Sequence, residues 1–493
     1  MASNPPLDAR RIAAEAPLFS ALQAQSRTAL LRCHMPGNLA GQAYPEPYDQ
    51  GFVQLETTEV AGGLDLFEPV GAVSEAAERL AKLTGAAAVH LMTQGSTTAI
   101  FAALATALPA GGQLYLPRNV HISVLRAAAI LDLDCHFLPL VTEPSGLLAS
   151  LDWSQTAALL SELESPVVFV CAPDYYGQSL KISRLAELVH ARGGCLIVDE
   201  AHGTHLCLDT PYTPPSALSQ GADLVCNSWH KTMPALAPAA VLQLSARAVH
   251  ELDLKARAER AVQLFHSTSP SYAIAASLDW ARAYAELYGR QKLSQIAEAI
   301  SAWRDSGGPE DALLRPRLET DVPDDPLHLL LSLPPAPIAF WQRRCEEVGL
   351  VPEIIACDHL LCLLSLATAP ETVQAIQEKY ALLRDQSVEG LPTAELEALH
   401  SALDWAYQLS AERIMSPREV LFGQGRALQR PRSVPIADCA GEIAADLIAP
   451  YPPGIALLWP GERISKRHVQ LLEKLDALGI HCTGIAEGRL NIV

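Results

Sequence analysis

The 493-residue chain has no apolar run approaching the ~20 residues that a membrane-spanning helix needs. Its opening stretch, MASNPPLDARRIAAEAP, lacks the apolar core of a secretory signal, so no export step is expected. No C-x-x-C pair occurs among the 11 cysteines. Their odd number and irregular spacing point to reduced thiols in a cytosol and not to a disulfide frame. Positive charge is scarce, with 36 Lys and Arg against 55 Asp and Glu, a formal net charge of −19. Such a balance repels nucleic acid and anionic membrane, so neither is an expected partner. There is no internal repeat and no low-complexity tract.

What remains is an ordinary globular composition, 49% hydrophobic and 18% charged. The length exceeds what one core usually serves, so two or three domains are expected. From about residue 86, short β-rich runs alternate with amphipathic stretches. The runs are AVHLM, QLYLP, CHFLPL, VVFVCAP, CLIVDEAH, LVCNSWH and AAVLQLS, with helical patterns such as TAIFAALATAL and SRLAELVHAR between them. This alternation implies an α/β fold with a mostly parallel sheet covered on both faces. Ligands in such folds bind at the carboxyl ends of the strands. Two long helical patterns, SYAIAASLDWARAYAELYG and QKLSQIAEAISAWRD, lead to the breaker-rich SGGPED, read as a domain boundary. A smaller α/β region follows, with strands LHLLLSLP and LLCLLSL and a helical hairpin-like segment at roughly 391–412. The expected division is an N-terminal segment 1–55, a large domain 56–305 and a smaller C-terminal part 306–493.

Four motifs fall at strand ends. In QGSTTA, Gly95 permits a tight turn while Ser96 and Thr97 offer hydroxyls and N–H groups at a helix start, which suits an anion. A plain Ser/Thr N-cap explains the same residues. In RNVHIS, His121 either lies flat on a ring or is a satisfied structural histidine. In CLIVDEAHG, Asp199 ends a buried strand, and a carboxylate there needs a cationic partner. A protonated pyridine nitrogen fits, and so does a helix cap or a structural ion pair. In SWHKTM, Lys231 directly follows a strand, where a dry site turns a lysine into a nucleophile for an aldehyde. A solvated surface lysine is the alternative. Ser228 and His230 are close enough along the strand alternation to share a phosphate with it.

Phosphate turn, stacking histidine, buried aspartate and lysine stand in that order, and the chain resembles the Orn/Lys/Arg decarboxylase family. The resemblance is to the short form of these fold-type I pyridoxal-phosphate enzymes, without an N-terminal wing. It runs through HMPGN (34–38), ETTEVAGGLDLFEPVGAVSEA (56–76), QGSTT, PRNVHIS, APDYYG (172–177) and IVDEAHGTH. It continues through GADLVCNSWHKTMPAL, STSPSYAIAASLDWAR (267–282) and YPPGIALLWPGE (451–462). It implies an aspartate-aminotransferase-like fold and pyridoxal 5′-phosphate as cofactor. Lys231 matches the Schiff-base lysine, Asp199 the partner of the pyridine nitrogen, and His121 the histidine stacked on the ring. Ala201 matches the residue under the ring, and His202 the one near the ring hydroxyl. Ser96, Thr97, Ser228 and His230, with the Gly95 turn, match phosphate-side positions. Two subunits complete each site in this fold, which implies a homodimer or higher even oligomer, with Thr268 and Ser269 supplied by the neighbouring chain.

The chain also departs from the family pattern. It reads HMPGNLAG where H-x-P-G-H-K-x-G is common, losing a histidine and a lysine at Asn38 and Leu39. It has Ile122 where a lysine usually follows the stacking histidine, and Ala237-Pro238 where Thr-Gln is usual. The resemblance implies decarboxylation of arginine, lysine or ornithine to CO2 and the corresponding amine. Amino transfer is the alternative within the cofactor class, and a cofactor-binding regulatory paralogue the alternative outside it. For the distal cation of a basic substrate the expected partner is Glu462, which the resemblance places near the active site. The competing explanation is that Gly461 and Glu462 begin the helix ISKRHVQLLEKL, where an acid favours the dipole.

Overall fold

The computed structural model describes residues 7–27, 34–42, 44–59, 64–142, 149–306, 325–384, 393–408, 411–423, 431–451 and 454–493. The SGGPED boundary falls largely outside these residues, as do parts of the 56–76 and 451–462 motifs. Where a helical hairpin is expected at 391–412, the described residues hold one helix, Thr393–Gln408.

The first nine strands are β1 (Ala88–Met92), β2 (Gln113–Leu116), β3 (Asp134–Phe137), β4 (Leu140–Thr142), β5 (Ala149–Leu151), β6 (Val167–Cys171), β7 (Cys195–Asp199), β8 (Leu224–Ser228) and β9 (Ala240–Leu244). Seven of them form one sheet in the order β1-β9-β8-β7-β6-β2-β3, and β4 and β5 form a separate antiparallel ribbon. The pairs β2–β3, β2–β6 and β7–β8 are parallel, while β9 runs antiparallel to β8 and to β1. Every residue of β7, β8 and β9 is buried. That is why CLIV reads as an unbroken apolar run up to Asp199 and not as an alternating one: both faces of the strand are covered. The helix Ile182–His190 shows the complementary pattern, burying Ile182, Leu185, Ala186 and Val189 on one stripe. The fold class expected from the sequence is the one observed.

The chain divides into two compact units. The first comprises residues 1–106, 197–294 and 365–367, and the second 107–196, 295–364 and 368–493. The two helical patterns expected after residue 270 are one continuous run. A helix Tyr272–Tyr284 passes through a π-helical turn, Ala285–Gly289, into the helix Arg290–Asp305. Leu208 packs closely on Gly289, where a Cβ would lie 2.7 Å from Leu208 Cδ1. In the second unit, β10 (His328–Ser332), β11 (Ile354–Ile355) and β12 (His359–Leu363) form an antiparallel sheet. Nearer the C-terminus, β13 (Arg432–Pro435), β16 (Ile485–Ala486) and β17 (Arg489–Ile492) form another, and β14 (Ala449–Pro450) pairs with β15 (Cys482–Thr483). No disulfide joins the described cysteines. No helix among the described residues is long and apolar enough to cross a membrane.

Candidate active site

The first unit gathers most of the residues singled out from the sequence. Strand β8 ends at Ser228, and Trp229–Thr232 forms a single helical turn. The strand alternation used to relate His230 to Lys231 therefore stops two residues short of His230. The turn places Lys231 half-buried, with Nζ 2.9 Å from His202 Nε2. The ammonium donates and the imidazole nitrogen accepts, so a neutral His202 carries its proton on Nδ1. The turn is held from several sides. Thr204 Oγ1 donates to the Ser228 carbonyl at 3.0 Å, Trp229 N to the Ala239 carbonyl at 2.9 Å, and Leu366 N to the Thr232 carbonyl at 2.9 Å. His230 Nδ1 lies 3.0 Å from the Ala239 carbonyl, so it donates there.

Ser228 Oγ donates to Ser96 Oγ at 2.7 Å, which brings two of the expected phosphate-side hydroxyls together. Ser96 and Thr97 are the second and third residues of the helix Gly95–Ala107. Gly95 has φ of +86°, and a Cβ there would sit 3.3 Å from Pro238 Cβ, so Ala237-Pro238 packs against the phosphate turn. The segment carrying Thr268 and Ser269 adjoins this turn within the same chain. Thr93 N donates to His266 Nε2 at 3.0 Å, and Ser267 N to Gln94 Oε1 at 2.7 Å. Burial lowers the His266 pKa, although the Ser267 carbonyl accepting from Nδ1 opposes the shift. The neutral ring thus serves as a fixed acceptor and donor between the two segments. Thr268 and Ser269 are themselves exposed.

Asp199, 3% exposed, is the last residue of β7, and its Oδ1 accepts from Ala201 N at 3.0 Å. Its neighbour Glu200 went unnoticed in the sequence. Its Oε1 accepts from Ala217 N at 2.6 Å and its Oε2 from Asn227 Nδ2 at 3.0 Å. Burial pushes its pKa up to about 7, the two hydrogen bonds pull it down, and Asp199 adds a push upward. Asn227 Oδ1 in turn accepts from Gln243 Nε2. A polar ladder therefore crosses β8 and β9 beside the strand end that carries Asp199. Asn227 and Gln243 interrupt otherwise apolar strands, and that was the available signal.

This donor set suits pyridoxal 5′-phosphate. Two hydroxyls at a helix N-terminus match a phosphate, a buried carboxylate matches a cationic ring nitrogen, and a primary amine matches an aldehyde.

His121 and Glu462 belong to the second unit. His121 is the N-cap of the helix Ile122–Leu131, and its Nδ1 accepts from Ser123 N at 3.2 Å. A nitrogen that accepts a backbone N–H is unprotonated, so the neutral ring carries its proton on Nε2. Glu462 is 1% exposed, and both of its oxygens face Arg118, with Nη2–Oε1 at 2.5 Å and Nη1–Oε2 at 3.1 Å. Oε2 also accepts from Trp459 N at 2.8 Å. The explanation of Glu462 as a helix-start acid does not hold. The helix is Lys466–Ala477, capped by Ser465, and Glu462 precedes it by a turn of chain. Arg118 stood unremarked inside RNVHIS, and nothing in either motif alone marks it as the partner.

Residues 16–314 match the Orn/Lys/Arg decarboxylase major domain, and 401–487 the C-terminal domain of the same family. The chain is 29% identical to the uncharacterized protein YaaO of Bacillus subtilis, covering 95% of this chain and 96% of that one. It is 25% identical to an arginine decarboxylase of Bacillus anthracis, covering 95% of each. It is 24% identical to the lysine decarboxylase LdcA of Pseudomonas aeruginosa, covering 93% of this chain and 75% of LdcA. In fold it resembles the constitutive lysine decarboxylase of E. coli, with a TM-score of 0.80 at 18% identity, covering 97% of this chain and 82% of that one. The chain belongs to the Orn/Lys/Arg decarboxylase family and is a decarboxylase whose cofactor is pyridoxal 5′-phosphate.

Proposed function

We propose that the protein removes the α-carboxylate of a basic amino acid (arginine, lysine or ornithine) as CO2 and releases the corresponding amine. The observation that carries this reading is the pairing of Lys231 with His202 in the unit that also holds Asp199, Ser96 and Ser228. Relatives named arginine and lysine decarboxylase support the substrate class. When bound, the cofactor supplies an electron sink for the bond broken at the α-carbon.

The chain's own residues do the rest. Ser96 and Thr97 on the Gly95 turn, with Ser228 and His230 from the end of β8 and the turn after it, would hold the phosphate. Asp199 would face the ring nitrogen and favour its protonated form, because a carboxylate buried this deeply is stabilised by an adjoining cation. His202 Nε2 accepts from Lys231 Nζ and would hold that amine where the cofactor's aldehyde would join it. Ala201 and His121 would be the residues that meet the two faces of the ring.

We propose a large domain at 56–305 and a smaller one at 306–493. We also propose a homodimer, or a higher even assembly, in which Thr268 and Ser269 reach the partner's site, where their exposure in the single chain leaves them available. The amine products suit a cytoplasmic enzyme of polyamine biosynthesis.

The test is incubation of the purified protein with each basic amino acid, measuring CO2 and amine. One of the three should yield both products in equal amounts. Transfer of the amino group to a 2-oxo acid without CO2, or no turnover of any of them, would overturn the reading.

A further inference from the structure

Arg118 and Glu462 form a buried ion pair within the second unit, 2% and 1% exposed. Both partners are built into place. The Arg118 guanidinium lies 4.2 Å over the Phe137 ring, and Trp459 packs edge-on against the same ring with centroids 5.2 Å apart. Glu462 N donates to the Trp459 carbonyl at 3.1 Å, and Ala444 N to the Glu462 carbonyl at 2.9 Å. Gly461 precedes it with φ of +92°, and any Cβ there would fall 2.2 Å from the Met415 carbonyl oxygen. The Pro-Gly-Glu run is therefore a turn made to deliver one carboxylate. His468, buried nearby, is held neutral: burial, then the charge of Arg118, brings its pKa down to about 4.

At the other end of the pair, Arg118 lies in an irregular connection, residues 117–121, between β2 and the helix Ile122–Leu131. No ladder hydrogen bonds define such a stretch, so side-chain anchors decide where it runs. His121 stands three residues beyond Arg118, exposed at the end of that connection. A buried ion pair adds little stability compared with apolar residues of similar size, and what it adds best is a unique geometry. Its two-point fork fixes Arg118 in direction as well as place.

We infer that Glu462 is a positioning residue for His121, acting through Arg118, and not the group that meets the substrate's distal cation. This rests on the proposed function above, in which His121 covers the ring of the cofactor. The C-terminal segment thereby sets the geometry of one face of the active site, and substrate charge must be met by other residues.

The test uses the holoenzyme carrying Glu462→Gln, which keeps the acceptor for Trp459 N but removes the charge. We expect kcat to fall about 10–100-fold, with KM for the basic amino acid changed less than about 3-fold. The visible circular dichroism of the bound cofactor should change. In cofactor-free protein the rate at which diethyl pyrocarbonate modifies His121 should change several-fold relative to exposed His250. Combined with His121→Ala, Glu462→Gln should cost no further kcat. Should Glu462→Gln fail to fold, Arg118→Lys retains both charges, loses the fork and should give the same signature in weaker form. A ~100-fold rise in KM with kcat, dichroism and His121 reactivity unchanged would overturn the inference and return Glu462 to the substrate. Unchanged values of all four in a folded variant would overturn it as well. Failure of the underlying reading looks different: His121→Ala alone would then leave kcat and dichroism intact.

Discussion

Lys231 and Glu462 are both ionisable side chains in turns that follow apolar runs, and the two turns treat charge in opposite ways. Lys231 is half-buried and faces an imidazole, a partner able to take its proton. Glu462 is sealed and faces the Arg118 guanidinium, with a backbone N–H occupying a further lone pair. A group that must react keeps a displaceable partner, whereas a group that must stay put is given a full complement. The comparison explains why two equally prominent motif residues carry different roles.

Lys231→Ala should have the largest effect, a loss of turnover on the order of 10^4-fold or more together with the visible band of the bound cofactor. Retention of the band would break the comparison at its reactive end. At the sealed end, Glu462→Leu alone should lower stability by roughly 3–5 kcal/mol, because it leaves Arg118 charged and buried. Adding Arg118→Met should recover most of that loss in chemical denaturation, as replacement of a buried pair by apolar residues is close to neutral. If the double variant is no more stable than the single, the pair is not the isolated unit described here. Asp199→Ala should keep its cofactor yet lose about 10^2–10^3-fold in kcat, the size expected for removing one preorganised charge. Normal turnover at saturating cofactor would remove Asp199 from the site. Smallest should be Ser96→Ala or Ser228→Ala. Each deletes a hydrogen bond to a charged group, worth about 1.5–3 kcal/mol, and equilibrium titration should show weakened cofactor affinity with little change in kcat.

Much of this was legible because the strands that matter are covered on both faces. Runs such as CLIVD and LVCNS left no doubt about where β7 and β8 lie, and so about where Asp199 and Ser228 emerge. The turn after β8 was less readable. Nothing local signals that Trp229–Thr232 coils into a helical turn, because tertiary hydrogen bonds from Thr204 and Leu366 hold it. Glu200 was hidden for a related reason: its partners, Ala217 N and Asn227, lie 17 and 27 residues away. Arg118 and Glu462 are separated by 344 positions, and no periodicity or spacing rule spans such a distance. Residues fixed by local pattern were readable, and residues fixed by long-range charge pairing were not.

The most direct test of the central claim is covalent. The purified protein should be yellow, borohydride should bleach the colour permanently, and peptide mapping should find the reduced cofactor on Lys231. An adduct on any other lysine, or a protein that binds no cofactor, would contradict the account.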